Sequence, residues 1–198
     1  LTIWNKPFNE FDHPAEATMT PPLEFSHVGF FVTDLDKMRD FYSRVLGFPI
    51  TDEGLLGTQR LTFLSRNPKE HHQVVLVEGR PGTLPFNVIN QISFRAKNIT
   101  DLRTHYHALE KEPDVSELVA VTHGIAVSLY CNDPEGNRIE IFVDCPWYVE
   151  QPLRVEIDIN LPEQEILDGI CTLIQDHPTY RPLADWSEQL ALRLDSAD

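Results

Sequence analysis

A weak internal repeat constrains this chain more than any single motif does. A shift of 64 residues sets Ser26-His27-Val28-Gly29-Phe30 over Asn90-Gln91-Ile92-Ser93-Phe94, and the same shift pairs Arg39 with Arg103 and Tyr42 with Tyr106. Two copies of one supersecondary unit in tandem each lack a partner face, so they are expected to bury their apolar sides against each other. Each copy opens with an apolar strand pattern, 25–32 and 89–96. A polar pair follows, Thr33-Asp34 or Lys97-Asn98, and then apolar residues at helical spacing: Leu35, Met38, Phe41, Tyr42 and Val45 in the first copy, Ile99, Leu102, Tyr106 and Leu109 in the second. Gly47 suits the stop of the first helix, and Pro113 follows the second. Three short strand patterns come next in each copy: 49–52, 59–65 and 72–78, then 118–122, 125–131 and 138–143. Asp133-Pro134-Glu135-Gly136-Asn137 is a turn sequence between the last two. The pattern predicts βαβββ twice.

The expected class is therefore α+β, with paired βαβββ modules forming a curved mixed sheet. The expected organisation is an N-terminal arm (1–24), a first module (25–78), a Gly- and Pro-bearing linker (79–87), a second module (88–145) and a C-terminal helical extension (146–198). Two amphipathic patterns, 162–175 and 182–194, make up the extension, with Pro178 between them.

Composition limits the partners. Acidic residues number 31 against 16 basic ones, a formal net charge of -15 that repels phosphate backbones and anionic headgroups, so neither nucleic acid nor membrane is expected. Cys131, Cys145 and Cys171 show neither the spacing of a metal clip nor the even count of a disulfide framework. The sequence carries no apolar run of membrane-spanning length, and its first residues lack a basic segment followed by an apolar one; a cytoplasmic setting is expected.

Strand alternation sorts the polar side chains. Val28, Phe30 and Val32 are expected on the helix side of the first strand, with His27, Gly29 and Phe31 opposite. Ile92 and Phe94 match the first set, leaving Gln91 and Ser93 opposite, and on the last strand Ile139, Ile141 and Val143 face the core while Arg138 and Glu140 face away. His27, Gln91 and Glu140 then share the hollow of a curved sheet. An acid between two isoleucines needs a cation or hydrogen-bond donors, or an ion pair with Arg138 or Arg95. Trp147, Tyr148 and Trp186 read as anchors of the extension, Phe31 and Phe63 as possible pocket walls, and His13, His105, His107 and His177 as solvated or capping residues.

The segments SHVGFFVTDLDKMRDFYSRVLGF, EHHQVVLV, NQISFRAKNITDL and HGIAVSLYCNDPEGNRIEIFVD resemble those of type I extradiol dioxygenases within the vicinal-oxygen-chelate superfamily, over roughly residues 25 to 150. The resemblance implies an Fe(II) enzyme that opens a catecholic ring with dioxygen, with metal ligands at the positions of His27, Gln91 and Glu140. Gln91 departs from the family, which has histidine there, and an amide oxygen is a poorer donor to iron. The resemblance further implies His72 as the proton shuttle, Tyr130, ten positions before Glu140, as a donor to the substrate oxygen, and His123 as a residue at the dioxygen side. Homodimerisation is expected by analogy. Glyoxalase-type relatives do use a glutamine ligand, but they also take a glutamate from the last strand of the first module, where this chain has Val74-Val75-Leu76-Val77. The alternatives are isomerase or lyase chemistry with Zn, Ni or Mn, and a metal-free binding module of the bleomycin-resistance kind.

Overall fold

The computed structural model describes residues 23–82 and 86–195. The expected arm therefore lies almost wholly outside the described residues, as does the middle of the expected linker. In each copy an N-cap side chain starts the helix. Asp34 accepts from the Lys37 N–H at 3.0 Å, and Asn98, at the equivalent place, accepts from the Asp101 N–H at 2.7 Å. These caps satisfy donors that the first turn cannot pair internally.

The first copy runs β1 (Val28–Val32), α1 (Leu35–Asp40), β2 (Ile50–Leu56), β3 (Gln59–Leu64) and β4 (Val74–Glu78). The second runs β5 (Ile92–Arg95), α2 (Ile99–Leu109), β6 (Ser116–Thr122), β7 (Ala126–Asn132) and β8 (Arg138–Asp144). The helices differ in one respect. α1 passes into a π-helical turn, Phe41–Val45, in which the Leu46 N–H reaches back to the Phe41 carbonyl, and Gly47 then leaves it with φ of 71°.

Each copy makes its own mixed sheet. The strand order is β1-β4-β3-β2 in the first and β5-β8-β7-β6 in the second, with β1 parallel to β4 and β5 parallel to β8. The alternation read from the sequence holds: Val32 and Ile92 are buried against the helices, while Phe31 is 55% exposed. The apolar sides of the two copies join in one core that includes Met38, Tyr42, Leu76, Leu102, Leu129 and Ile139. Burial of such side chains is the main favourable term, roughly 2 kcal/mol each.

The turn sequence between β7 and β8 also clamps the copies together. Asp133 accepts from the N–H groups of Glu135 and Asn137, and Gly136 takes φ of 78° to close the turn. The Glu135 carboxylate then receives the Thr33 and Asp34 N–H groups at 2.7–2.9 Å, and the buried Tyr42 hydroxyl donates to Asp133 at 3.3 Å.

The extension adds more than the two helices foreseen, α3 (Glu163–Ile174) and α4 (Leu183–Asp195). Three two-residue strands, β9 (Trp147–Tyr148), β10 (Val155–Glu156) and β11 (Arg181–Pro182), escaped the sequence reading, being too short to show a period. β10 pairs with β6 and widens the second sheet to five strands. Ile166, Ile170 and Ile174 bury one face of α3, and Tyr148 stacks on Trp186 with ring centroids 5.6 Å apart. No helix among the described residues is long and apolar enough to cross a membrane.

Candidate functional site

The register of the second sheet builds a polar row on its open face. Val119 pairs with Tyr130, Tyr130 with Glu140 and Glu140 with Ser93. Because side chains repeat every second residue, Gln91 joins this face just ahead of β5. Glu140 is 8% exposed and receives three donors: the Tyr130 hydroxyl at 2.8 Å, the Ser93 hydroxyl at 2.6 Å and the Gln91 amide N–H at 2.8 Å. The ion pair weighed from sequence does not form, since Arg95 reaches Asp144 instead.

Beyond Tyr130 stands His123. Its Nδ1–H donates to the Leu153 carbonyl at 2.6 Å, and its Nε2 lies 3.0 Å from the Tyr130 hydroxyl. Leu153 takes the Nδ1 proton and Glu140 takes the phenol proton. Nε2 therefore meets the phenol oxygen lone pair to lone pair unless the ring carries a second proton. Burial, with the hydrogen bond to Glu140 next, pushes the Tyr130 phenol up to about 12, so this residue serves as a hydrogen-bond donor and not as an acid near neutrality.

The first sheet carries the histidines. His27, immediately before β1, lies beside His72, two residues before β4, with ring centroids 4.4 Å apart. His71 donates from Nε2 to Asp52 at 2.6 Å, which leaves its Nδ1 to accept from His72 Nδ1 at 2.9 Å. The lone pair of His72 therefore sits on Nε2, where a base can use it. Burial, followed by the nearby charges of His27 and His71, lowers the His72 pKa and favours the neutral ring. Phe63 lines the same group, 5.2 Å from His72 between centroids.

The structure thus joins Gln91 to Glu140, Tyr130 and His123, and His27 to His72. Among the described residues His27 hydrogen-bonds to Ser26, at 3.3 Å, and not to Gln91 or Glu140. Among the described residues no three His, Cys, Asp or Glu side chains form a group able to hold a metal ion. The three expected donors fall into two hydrogen-bond and ring-contact groups, and three of the four acceptor positions of Glu140 are filled by protein donors.

Residues 24–141, more than half of the chain, match the Glyoxalase/Bleomycin resistance protein/Dioxygenase superfamily. The chain belongs to that superfamily. Among curated members it is 30% identical over 130 residues to a biphenyl-2,3-diol 1,2-dioxygenase of Rhodococcus globerulus, covering 64% of this chain and 65% of the relative. A catechol-2,3-dioxygenase of Bacillus subtilis is 27% identical over 145 residues, covering 65% of this chain and 45% of that protein. The chain thus spans less than two thirds of these superfamily members. In fold it resembles a glyoxylase/bleomycin resistance protein/dioxygenase domain from Frankia sp. EAN1pec, with a TM-score of 0.52, 20% identity, and coverage of 63% of this chain and 99% of that one.

Sequence reasoning missed two members of the site. Ser93 was placed on the right face but not recognised as a partner of Glu140, although the parallel pairing of β5 with β8 sets the two side by side. The Leu153 carbonyl, which fixes the His123 tautomer, lies in the extension and left no signal. His105 was read as solvated or capping; it is half-buried beside a cleft of about 1080 Å3 between the modules, and burial, with the Arg66 charge second, lowers its pKa.

Proposed function

We propose that this superfamily member is a metal-dependent, extradiol-type ring-cleaving dioxygenase for a catecholic aromatic diol, with His27, Gln91 and Glu140 as metal donors and His72, Tyr130 and His123 as catalytic residues. The observation that carries the reading is the Gln91–Glu140–Tyr130–His123 chain, standing at the positions the resemblance singles out. In the reaction both atoms of dioxygen enter the product as the ring bond beside the diol breaks. Divalent iron, when bound, supplies the electron exchange between diol and dioxygen. The residues supply the proton handling: His72 takes a diol proton on Nε2, Tyr130 turns its single hydroxyl proton from Glu140 to a substrate oxygen, and His123 stands at the dioxygen side. For the donors to act together, His27 and Glu140 must face one ion, within one chain or across a homodimer. Three unpaired thiols suit a reducing, cytoplasmic setting.

Oxygen uptake by iron-reconstituted protein, assayed with catechol and with biphenyl-2,3-diol, tests the proposal. Uptake with a yellow ring-fission product is expected, and bound iron without turnover across a broad diol panel would overturn it. One observation favours a second reading. Glu140 is satisfied by three donors without any cation, as a metal-free binding module requires. That reading predicts that Glu140→Gln leaves ligand affinity intact.

A further inference from the structure

Two arginines converge on the tyrosine of this site and, among the described residues, make no hydrogen bond or ion pair. The guanidinium carbons of Arg138, at the start of β8, and Arg154, just before β10, lie 6.0 and 5.9 Å from the centroid of the Tyr130 ring. Both line a cavity of about 670 Å3 whose wall also includes Gln91, Val119 and Asn132. The chain carries nearly twice as many acids as bases, and most of its other guanidinium groups are taken up, Arg181, over the Tyr148 ring, being an exception. Arg39, Arg44, Arg60, Arg80 and Arg95 end on carboxylates, and Arg66 and Arg103 on backbone carbonyls. Arg138 and Arg154 make no hydrogen bond or ion pair among the described residues, even though Glu117 and Glu156 stand in the same wall. Each therefore keeps its five-donor fork available beside an aromatic ring.

We propose that this cavity is a carboxylate subsite, in which Arg138 and Arg154 hold the carboxylate of a small organic ligand whose apolar body lies against Val119 and Tyr130. A planar two-oxygen acceptor matches a guanidinium fork, and the aromatic floor excludes water from one side of the pair. Tyr130 divides the subsite from Glu140: its hydroxyl bonds the acid and its ring lies beside the arginines. As a statement about substrate, the proposal rests on the diol reading and specifies a catechol bearing a carboxylate away from the hydroxyl pair. As a statement about anion binding, it stands apart from any turnover.

Benzoate and its neutral isostere benzamide separate the two, because neither offers a diol to cleave. Calorimetric or ligand-observed NMR titration of the full chain at low salt should show benzoate binding about tenfold tighter than benzamide or better, as expected for one or two charge-assisted hydrogen-bond pairs. Arg138→Gln and Arg154→Gln should each erode that preference, and the double variant should abolish it. Both side chains are exposed, so the variants should keep the wild-type circular dichroism spectrum. Equal binding of benzoate and benzamide, absence of binding by either, or full benzoate affinity in the double variant would each overturn the subsite. Failure of oxygen uptake would not alter these titrations.

Discussion

The two modules share a backbone plan and divide the chemistry between them. At the mouth of β1 stands an imidazole, His27, exposed and leaning on His72; at the equivalent place before β5 stands Gln91, bonded to a buried carboxylate. The closing strands differ still more, since β4 reads Val74-Val75-Leu76-Val77-Glu78 where β8 inserts Glu140 between Ile139 and Ile141. The first sheet carries proton acceptors near solvent, and the second a carboxylate held in a hydrogen-bond network. Repetition of a fold therefore does not repeat a site. Each half is free to specialise once the other supports the core.

The sharpest break in that comparison is in stability. Glu140→Ala leaves Tyr130, Ser93 and Gln91 without their shared acceptor and should cost about 3 kcal/mol by denaturant titration. His27→Ala, which removes an exposed ring with one long hydrogen bond, should stay within about 0.5 kcal/mol of wild type. Equal losses would show that the two halves are not built differently.

Next in size is the clamp between the halves. Glu135→Ala removes the acceptor for two backbone donors of the first copy and should cost about 2 kcal/mol, with retained secondary structure by circular dichroism. Tyr130→Phe should cost about 1 kcal/mol and, under the proposed function, slow turnover about tenfold or more while diol binding changes less. A variant with unchanged turnover would remove Tyr130 from the catalytic set.

The smallest effect concerns pH and a residue outside both groups. Burial lowers the His105 pKa from its ordinary 6.5, so the unfolded chain takes up the proton first. The stability this group contributes is present above pH 6.5 and is lost as pH falls below it toward the folded value. Denaturation midpoints compared between pH 7.5 and 5 should fall more in the wild type than in His105→Asn. Parallel falls would show that His105 has no part in the acid sensitivity.

Much of this was legible beforehand, for reasons particular residues make plain. The 64-residue shift carries Asp34 onto Asn98 and Val28 onto Ile92, so the caps and strand starts of both copies follow from one pattern. Glu140 announced itself as an acid among isoleucines. The π turn after Asp40 was not legible, because its apolar spacing also fits an α-helix. Nor was β10, whose two residues become a strand only because β6 offers a free edge. The grouping of His27 with His72 was hidden as well. Alternation fixes which face a side chain takes within a sheet, but not how two sheets face each other.

Under the proposed function the histidine group and the carboxylate group serve a single metal. Anaerobic Fe(II) titration with elemental analysis of wild type, His27→Ala and Glu140→Gln tests it directly. One iron per chain in the wild type, lost in both variants, is the result predicted. Wild-type iron content in His27→Ala would contradict it, leaving two halves that share a core and not a centre.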